Sequence, residues 1–440
     1  MKNFDSKFLL AACLTIFCLQ STIAIDDTHF YRATNFLPIY HEPHFAEKGL
    51  TSFDIFVSHG STRKARAHQD DLKKDKCTKK DCCDLLLLNI CGLHNMHKLG
   101  EGVPDKDPTN PADLALINLE ALPGRDCFGK LLFGGEFNIT EAYLFFTQNL
   151  ARGLFIQAHL PIRHLEINCI TFTDQSPTDS ECPNINTPEW QTFLNIFDDI
   201  LTRYNLDITD FKETAIGDTT LFLGYAYHYE DTEILDFFDV TLRVGVLIGT
   251  GKQKDQNKAF SIDHGYGGHM GIPFNAAAAL GAYEWLTVGA HVHGTVFAKK
   301  TKEIRMKTST AQNGFITLAK DTATIDKGSL WGAHMYLKAD HVLHGFSATV
   351  GYSFSYKRDD FVCPCDLDIF DKCIVNSDCL FKEWKNHTFH LFIEYDFSTN
   401  RHHIGPRIGG FFNWQVGGTR VFKTHTGGSN FGIDMSWFFD

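Results

Sequence analysis

The chain has 440 residues and a formal net charge of −12, with 43% hydrophobic and 13% aromatic residues. That length is long for one soluble domain and ordinary for one large barrel. The acid excess argues against a general nucleic-acid binder, and after the N-terminus no apolar run is long enough for a spanning helix.

Residues 1–24 read as a signal peptide. Lys2 and Lys7 give a positive start, Phe8 to Ile23 are mostly apolar, and Thr22 and Ala24 are the small residues before a cleavage site. A retained membrane anchor and a lipoprotein signal at Leu10-Ala11-Ala12-Cys13 are the alternatives. The leader carries a net +1, so the remainder is near −13. Residues 25–50 lack periodicity and are expected to form an N-terminal periplasmic or plug segment.

From residue 51 the dominant signal is period-two alternation. The first strand, 51–60, is the weakest: Phe53, Ile55 and Val57 share a face, with Phe56 on the other. An insertion, 61–128, follows with a mixed charge run from Arg63 to Asp81; a solvated loop is the plain reading and lipid-headgroup or polyanion binding the sharper one. Asp84 to Ile90 suits a short strand or a plug segment. Strands at 129–148 and 154–173 come next. In the link 174–216, Pro188 to Tyr204 predicts a short outer-loop helix. Thr187 caps it, and Trp190, Phe193, Leu194, Phe197 and Leu201 form an apolar stripe that should dock over the barrel mouth.

The alternation is cleanest further on. Phe238, Val240, Leu242, Val244, Val246 and Ile248 lie opposite Asp239, Thr241, Arg243 and Gly245. Leu286, Val288, Ala290, Val292 and Val296 lie opposite His291 and His293, and Phe389, Leu391, Ile393, Tyr395 and Phe397 opposite His390, Glu394 and Asp396. A soluble sandwich would bury the apolar face. A membrane barrel turns it to lipid. Long strands, aromatic rings near strand ends and links of alternating length favour the barrel. Taking the short links as periplasmic turns adds strands at 217–229, 235–250, 264–281, 285–305, 328–340, 345–358, 387–397, 402–417 and 427–439. The expected fold is therefore all-β: an antiparallel transmembrane barrel of about 12 strands, residues 51–440, with Cys-rich insertions at 61–128 and 359–386.

Thirteen cysteines occur, two of them in the leader. Cys77, Cys82, Cys83, Cys91, Cys127, Cys169, Cys182, Cys363, Cys365, Cys373 and Cys379 are disulfide candidates in an exported chain. Their odd number leaves one thiol over, and the spacing lacks the pattern of zinc sites.

The last strand resembles the sorting signal of bacterial outer-membrane barrels, a polar residue, then glycine, then alternating apolar or aromatic positions. Asn430, Gly432, Met435, Trp437 and Phe439 carry the resemblance, with Asp440 following where many such proteins end on the aromatic residue. It implies a Gram-negative-type outer membrane, membrane lipid as surroundings and insertion by barrel-assembly machinery; it names no solute and no oligomeric state. Asn110-Pro111-Ala112-Asp113-Leu114-Ala115-Leu116 resembles a tract in transporters of long-chain fatty acids and other hydrophobic compounds. In those proteins it lies nearer the mature N-terminus, and the barrel usually has more strands.

The polar faces assign Asp239, Arg243, His269, His291, His293, His334, Lys338, His390, Glu394 and Asp396 to the lumen. Polar filling of a narrow interior is the plain account of the histidines, and a metal-lined or pH-sensitive lumen the sharper one; no cofactor or metal is expected. No catalytic residues converge in sequence. Asp263-His264 and Asp359-Asp360 are adjacent pairs whose members point to opposite faces of a strand, and His59-Gly60-Ser61 lacks a visible partner. The function expected is a narrow channel for small solutes. A closed structural or adhesive barrel presenting disulfide-stapled loops is the alternative, and an outer-membrane hydrolase the lesser one.

Overall fold

The computed structural model describes residues 29–31, 48–68, 84–122, 129–151, 153–176, 187–230, 235–283, 285–343, 345–397 and 404–438. The leader, most of the 25–50 segment, Cys77, Cys82, Cys83, Cys127, Cys182 and Phe439 lie outside the described residues.

Twelve long antiparallel strands form one barrel: β1 (Lys48–Thr62), β2 (Lys130–Ala151), β3 (Leu154–Asp174), β4 (Thr219–Glu230), β5 (Phe237–Ile248), β6 (Gly271–Ala282), β7 (Leu286–Phe297), β8 (Leu330–Leu343), β9 (Phe346–Lys357), β10 (Trp384–Asp396), β11 (Ile404–Thr419) and β12 (His425–Phe438). Each pairs with its chain neighbours, and β12 returns onto β1 from Lys48↔Phe438 to Ser61↔His425. The sheet therefore has no free edge, and all its ladder hydrogen bonds are internal.

Two expected strands are shorter than the alternation suggested. Residues 264–270 turn through Gly267 and Gly268, at φ 68° and 73°, and fold under the mouth before β6 begins. The segment after β7 leaves the barrel. Lys300–Arg305 pairs with Lys320–Asp326, which pairs with Phe361–Pro364, in a separate sheet. Lys300 and Lys302 alternate with Thr301 and Glu303, so neither face could meet lipid.

The outward face is apolar along strand after strand. Leu221, Leu223, Tyr225, Tyr227 and Tyr229 of β4, Leu242, Val244 and Val246 of β5, and Leu391 and Ile393 of β10 are all about half exposed. A contiguous apolar surface of this extent is not sustained in water and is required in hydrocarbon. Aromatic rings edge it. Tyr352, Phe389 and Trp414 are level neighbours on β9, β10 and β11 toward the long-loop end. Tyr229, Tyr283, Trp285 and Phe397 crowd the short-turn end. Such girdles sit at membrane–water interfaces.

β2 and β3, at 22 and 21 residues, overshoot the other strands and carry a cap. Phe133, Phe137, Ile139, Leu165 and Ile167 on their upper parts pack into one apolar core with the insertions. The cap contains α1 (Pro111–Ala121), α2 (Pro188–Asn195) and α3 (Phe197–Arg203). The helix expected over Pro188 to Tyr204 breaks at Ile196, but its stripe docks: Trp190, Phe193, Phe197 and Leu201 are buried. The tract at Asn110 has a structural use. Asn110 caps α1 by accepting from the Ala112 N–H at 2.9 Å, and buried Asp113 accepts from the Tyr204 hydroxyl at 2.8 Å and from Arg203 at 3.2 Å. The segment from Asp84 contributes Asp84–Leu86, a short strand against Lys64–Arg66.

Among the described residues one disulfide, Cys91–Cys379, ties the first insertion to the 359–386 insertion. Cys169, Cys363, Cys365 and Cys373 carry free thiols. Cys169 sits exposed at an irregularity of the β2–β3 ladder, at φ 54°, and Cys365 and Cys373 are exposed too.

Candidate functional site: the capped mouth and the barrel interior

The inward face is polar and almost entirely buried, so the interior is filled. Asp239 is buried beside the His228 ring nitrogen, and Arg243 lies over the Phe155 ring at 5.8 Å. His291, His293, His334 and His390 are each 1% exposed or less. Glu394 is buried against Arg407 at 3.2 Å and accepts from the Asn430 amide at 2.9 Å. Nearer the turns, Lys338 pairs with Asp340 at 2.9 Å, and Asp396, half-buried, ends β10. Phe56, Tyr143, Phe145, Tyr336, Phe392 and Phe411 also face inward and form a buried aromatic cluster.

His269 is a correction. It lies on no strand but in the turn before β6, where its Nδ1 is 2.9 Å from the Ala298 carbonyl oxygen. Burial, with Lys327 nearby, pushes its pKa down to about 4. Of the terminal pattern, Asn430 points inward and is buried, Gly432 packs against Asp54 and Arg407, and Met435 is exposed on the apolar face. The Trp437 backbone pairs with Gly49.

Two buried ion networks extend this set. Arg407 of β11 meets Asp54 of β1 at 2.8 Å, Glu394 of β10 at 3.2 Å and Asp434 of β12 at 2.7 Å, across the seam that closes the barrel. Nearer the mouth, Arg163 pairs with Glu141 at 2.8 Å and also donates to the His264 carbonyl. The Arg407 set falls on the polar faces of its strands, where alternation places it, whereas Glu141 sits among Ile139, Tyr143 and Phe145 on an inward face of β2 that is largely apolar.

Between cap and barrel lies a cavity of about 210 Å³. Seven cationic side chains line it against three carboxylates, Asp263, Asp360 and Asp378. Arg305 is committed to structure. It donates to the Thr317, Leu318, Tyr204 and Asn205 carbonyls at 2.7–3.2 Å, holding the cap to the outer sheet. Lys357 is likewise paired, with Asp360 at 2.6 Å. Lys254 and Lys302 differ: among the described residues their ammonium groups donate only to the Ala259 and Gly267 carbonyls, at 3.3 and 3.2 Å. Burial pushes the Lys254 ammonium down to about 8 and lowers that of Lys302. Burial alone would raise Asp263, but Lys302, Lys327 and Lys254 together hold its carboxyl below the ordinary range. Phe30, Tyr31, Tyr266, Phe315 and Trp384 supply an apolar wall. The site suits a small, partly apolar anion.

Residues 29–31 form part of this wall. The Tyr31 hydroxyl donates to the Asp263 carbonyl at 2.9 Å, and the Phe422 N–H to the Phe30 carbonyl at 2.7 Å. The chain is thus at the mouth at Tyr31 and at the opposite, short-turn end when β1 starts at Lys48. The cavity lysines come from separate segments, Lys254 and Lys327 from loops, Lys302 from the Lys300–Arg305 strand outside the barrel and Lys357 from the end of β9, so no single sequence pattern groups them.

No family model and no curated protein matches the sequence. Among solved structures, an outer membrane channel from Pseudomonas putida F1 aligns over 90% of this chain and 100% of its own, at 10% identity and a TM-score of 0.46. The CymD monoaromatic hydrocarbon channel covers 90% of each chain at 6% identity and a TM-score of 0.30. A FadL homologue from Pseudomonas aeruginosa covers 89% of this chain and 90% of its own, at 9% identity and a TM-score of 0.24.

Proposed function

We propose that this protein is a channel for small solutes in the outer membrane of a Gram-negative-type bacterium, and that the solutes it gathers are small organic anions. The carrying observation is the cation-rich cavity placed where the cap meets the polar interior of a closed, apolar-skinned barrel. Low-dielectric walls around one sign of charge concentrate counter-ions, and the aromatic wall favours an anion with an apolar body. The leader would export the chain, and the terminal strand would present it to barrel-assembly machinery. The N-terminal segment is read as a plug, which residues 29–31 support by their place at the mouth.

Swelling of liposomes that contain the refolded protein tests the reading. Benzoate should enter faster than benzyl alcohol or benzylamine, and Lys254→Met with Lys302→Met should remove the preference. Equal entry of all three would reject anion selection. The second reading, a closed surface barrel, rests on the filled interior and on the disulfide that ties two insertions together. Absence of any flux, even after removal of residues 25–47, would favour it.

A further inference from the structure

A different feature lies deeper in the wall. His291 and His293 are two apart on β7, so both rings enter the interior. β8 brings His334 directly opposite His291. The three rings lie with centroids 4.1, 4.7 and 5.4 Å apart. One ligand nitrogen from each falls within 4.8 Å of the others, and all three residues are 1% exposed.

We propose that His291, His293 and His334 form a three-histidine site for a borderline divalent transition-metal ion such as zinc. Four observations carry it. First, His291 Nε2 and His293 Nδ1 are 3.3 Å apart. Two nitrogens bound at 2.0–2.1 Å in a tetrahedron are separated by about 3.3 Å. Second, among the described residues neither ring nitrogen of His334 has a hydrogen-bond partner, nor does His291 Nδ1 or His293 Nε2. Buried polar atoms left this way are costly, and a metal ion would satisfy one on His334 outright. Third, the barrel makes room for the ring that must fit most tightly. Gly332 pairs with His293, and a Cβ there would meet His293 Nε2 at 1.9 Å. Fourth, the neighbouring histidine is already engaged. His390 is held by Ser353 Oγ and Asn413 Oδ1, each at 2.7 Å, which limits the set to three.

The donor chemistry selects the ion. Three neutral imidazoles suit zinc, copper(II) or nickel, whereas calcium and magnesium require oxygen ligands. Three protein ligands leave a fourth position open. The Thr295 hydroxyl and the Asn275 amide, both buried and without partners among the described residues, lie on the same inner face at the level of His293 and above it.

The test uses full-length refolded protein with cobalt(II) as a spectroscopic stand-in for zinc, and zinc competition for affinity. One equivalent should bind with a tetrahedral, nitrogen-type visible spectrum and be displaced by zinc. His334→Gln and His291→Gln should each weaken binding by at least about 100-fold, and Gly332→Ala by about 10-fold through displacement of His293. Heat-modifiable migration of each variant confirms that it still folds. Three results would overturn the proposal: no stoichiometric binding, affinity unchanged in the histidine variants, or a thiolate charge-transfer band marking the free cysteines as the ligands. None of these depends on whether the barrel conducts.

Discussion

Lys254 shows how a single residue can set the behaviour of the mouth. Its ammonium titrates near 8 in the folded protein, below its ordinary value of 10.5. The unfolded chain therefore holds more protons than the folded one between those values, so the folded state gains stability as pH rises across that window. Affinity for an organic anion moves the other way, because the cavity loses a positive charge as pH rises through about 8. Titration calorimetry with benzoate from pH 7 to pH 9.5 should show weakening binding while the melting temperature holds or climbs. Arg407 acts on the seam. Arg407→Met would strand Asp54, Glu394 and Asp434 together on the closing strands. Breaking a buried pair in this way typically costs about 3–5 kcal/mol; urea titration of the folded barrel should show a loss of that order.

At the scale of elements, the cap and the barrel wall should respond separately. His94 in the cap and His269 beneath it both titrate near 4 because burial disfavours their charged forms. The unfolded chain takes up these protons first, so their contribution to stability is full above pH 6.5 and falls as pH drops toward 4. Hydrogen exchange should accelerate across the cap in that window while β5 to β9 stay protected. Cys91→Ser removes the bond between the two insertions. It should speed proteolysis in the cap and leave heat-modifiable migration unchanged.

Legibility in the sequence followed the same division. Wherever lipid sits on one side and a filled interior on the other, alternation is enforced residue by residue, and all twelve strands could be placed from it. Even 51–60, with Phe56 out of phase, forms β1, because Phe56 belongs to the inward aromatic cluster. Lys300–Arg305 and the turn around His269 misled because an alternating pattern beyond the membrane looks like a strand's continuation. The cavity was invisible for the opposite reason. Lys254 and Lys327 on loops and Lys302 on the outer strand are brought together only by tertiary packing, and the partner of Cys91 is 288 residues away.

For the whole molecule, a closed twelve-stranded wall and an apolar outer belt describe a barrel that spans lipid, and the charged mouth is where the proposed sorting of small anions would take place. The inward side chains that fill the barrel mean that the intact protein should conduct little, and the proposed plug role of the N-terminal segment means that removing residues 25–47 should increase its conductance. Single-channel recording in a planar bilayer under a potassium chloride gradient tests this most directly. The full chain should show small or rare openings. The deletion variant should show larger, steady openings, with a reversal potential displaced toward that of chloride. A deletion variant that inserts, shows heat-modifiable migration and never conducts, or that conducts with cation preference, would contradict it.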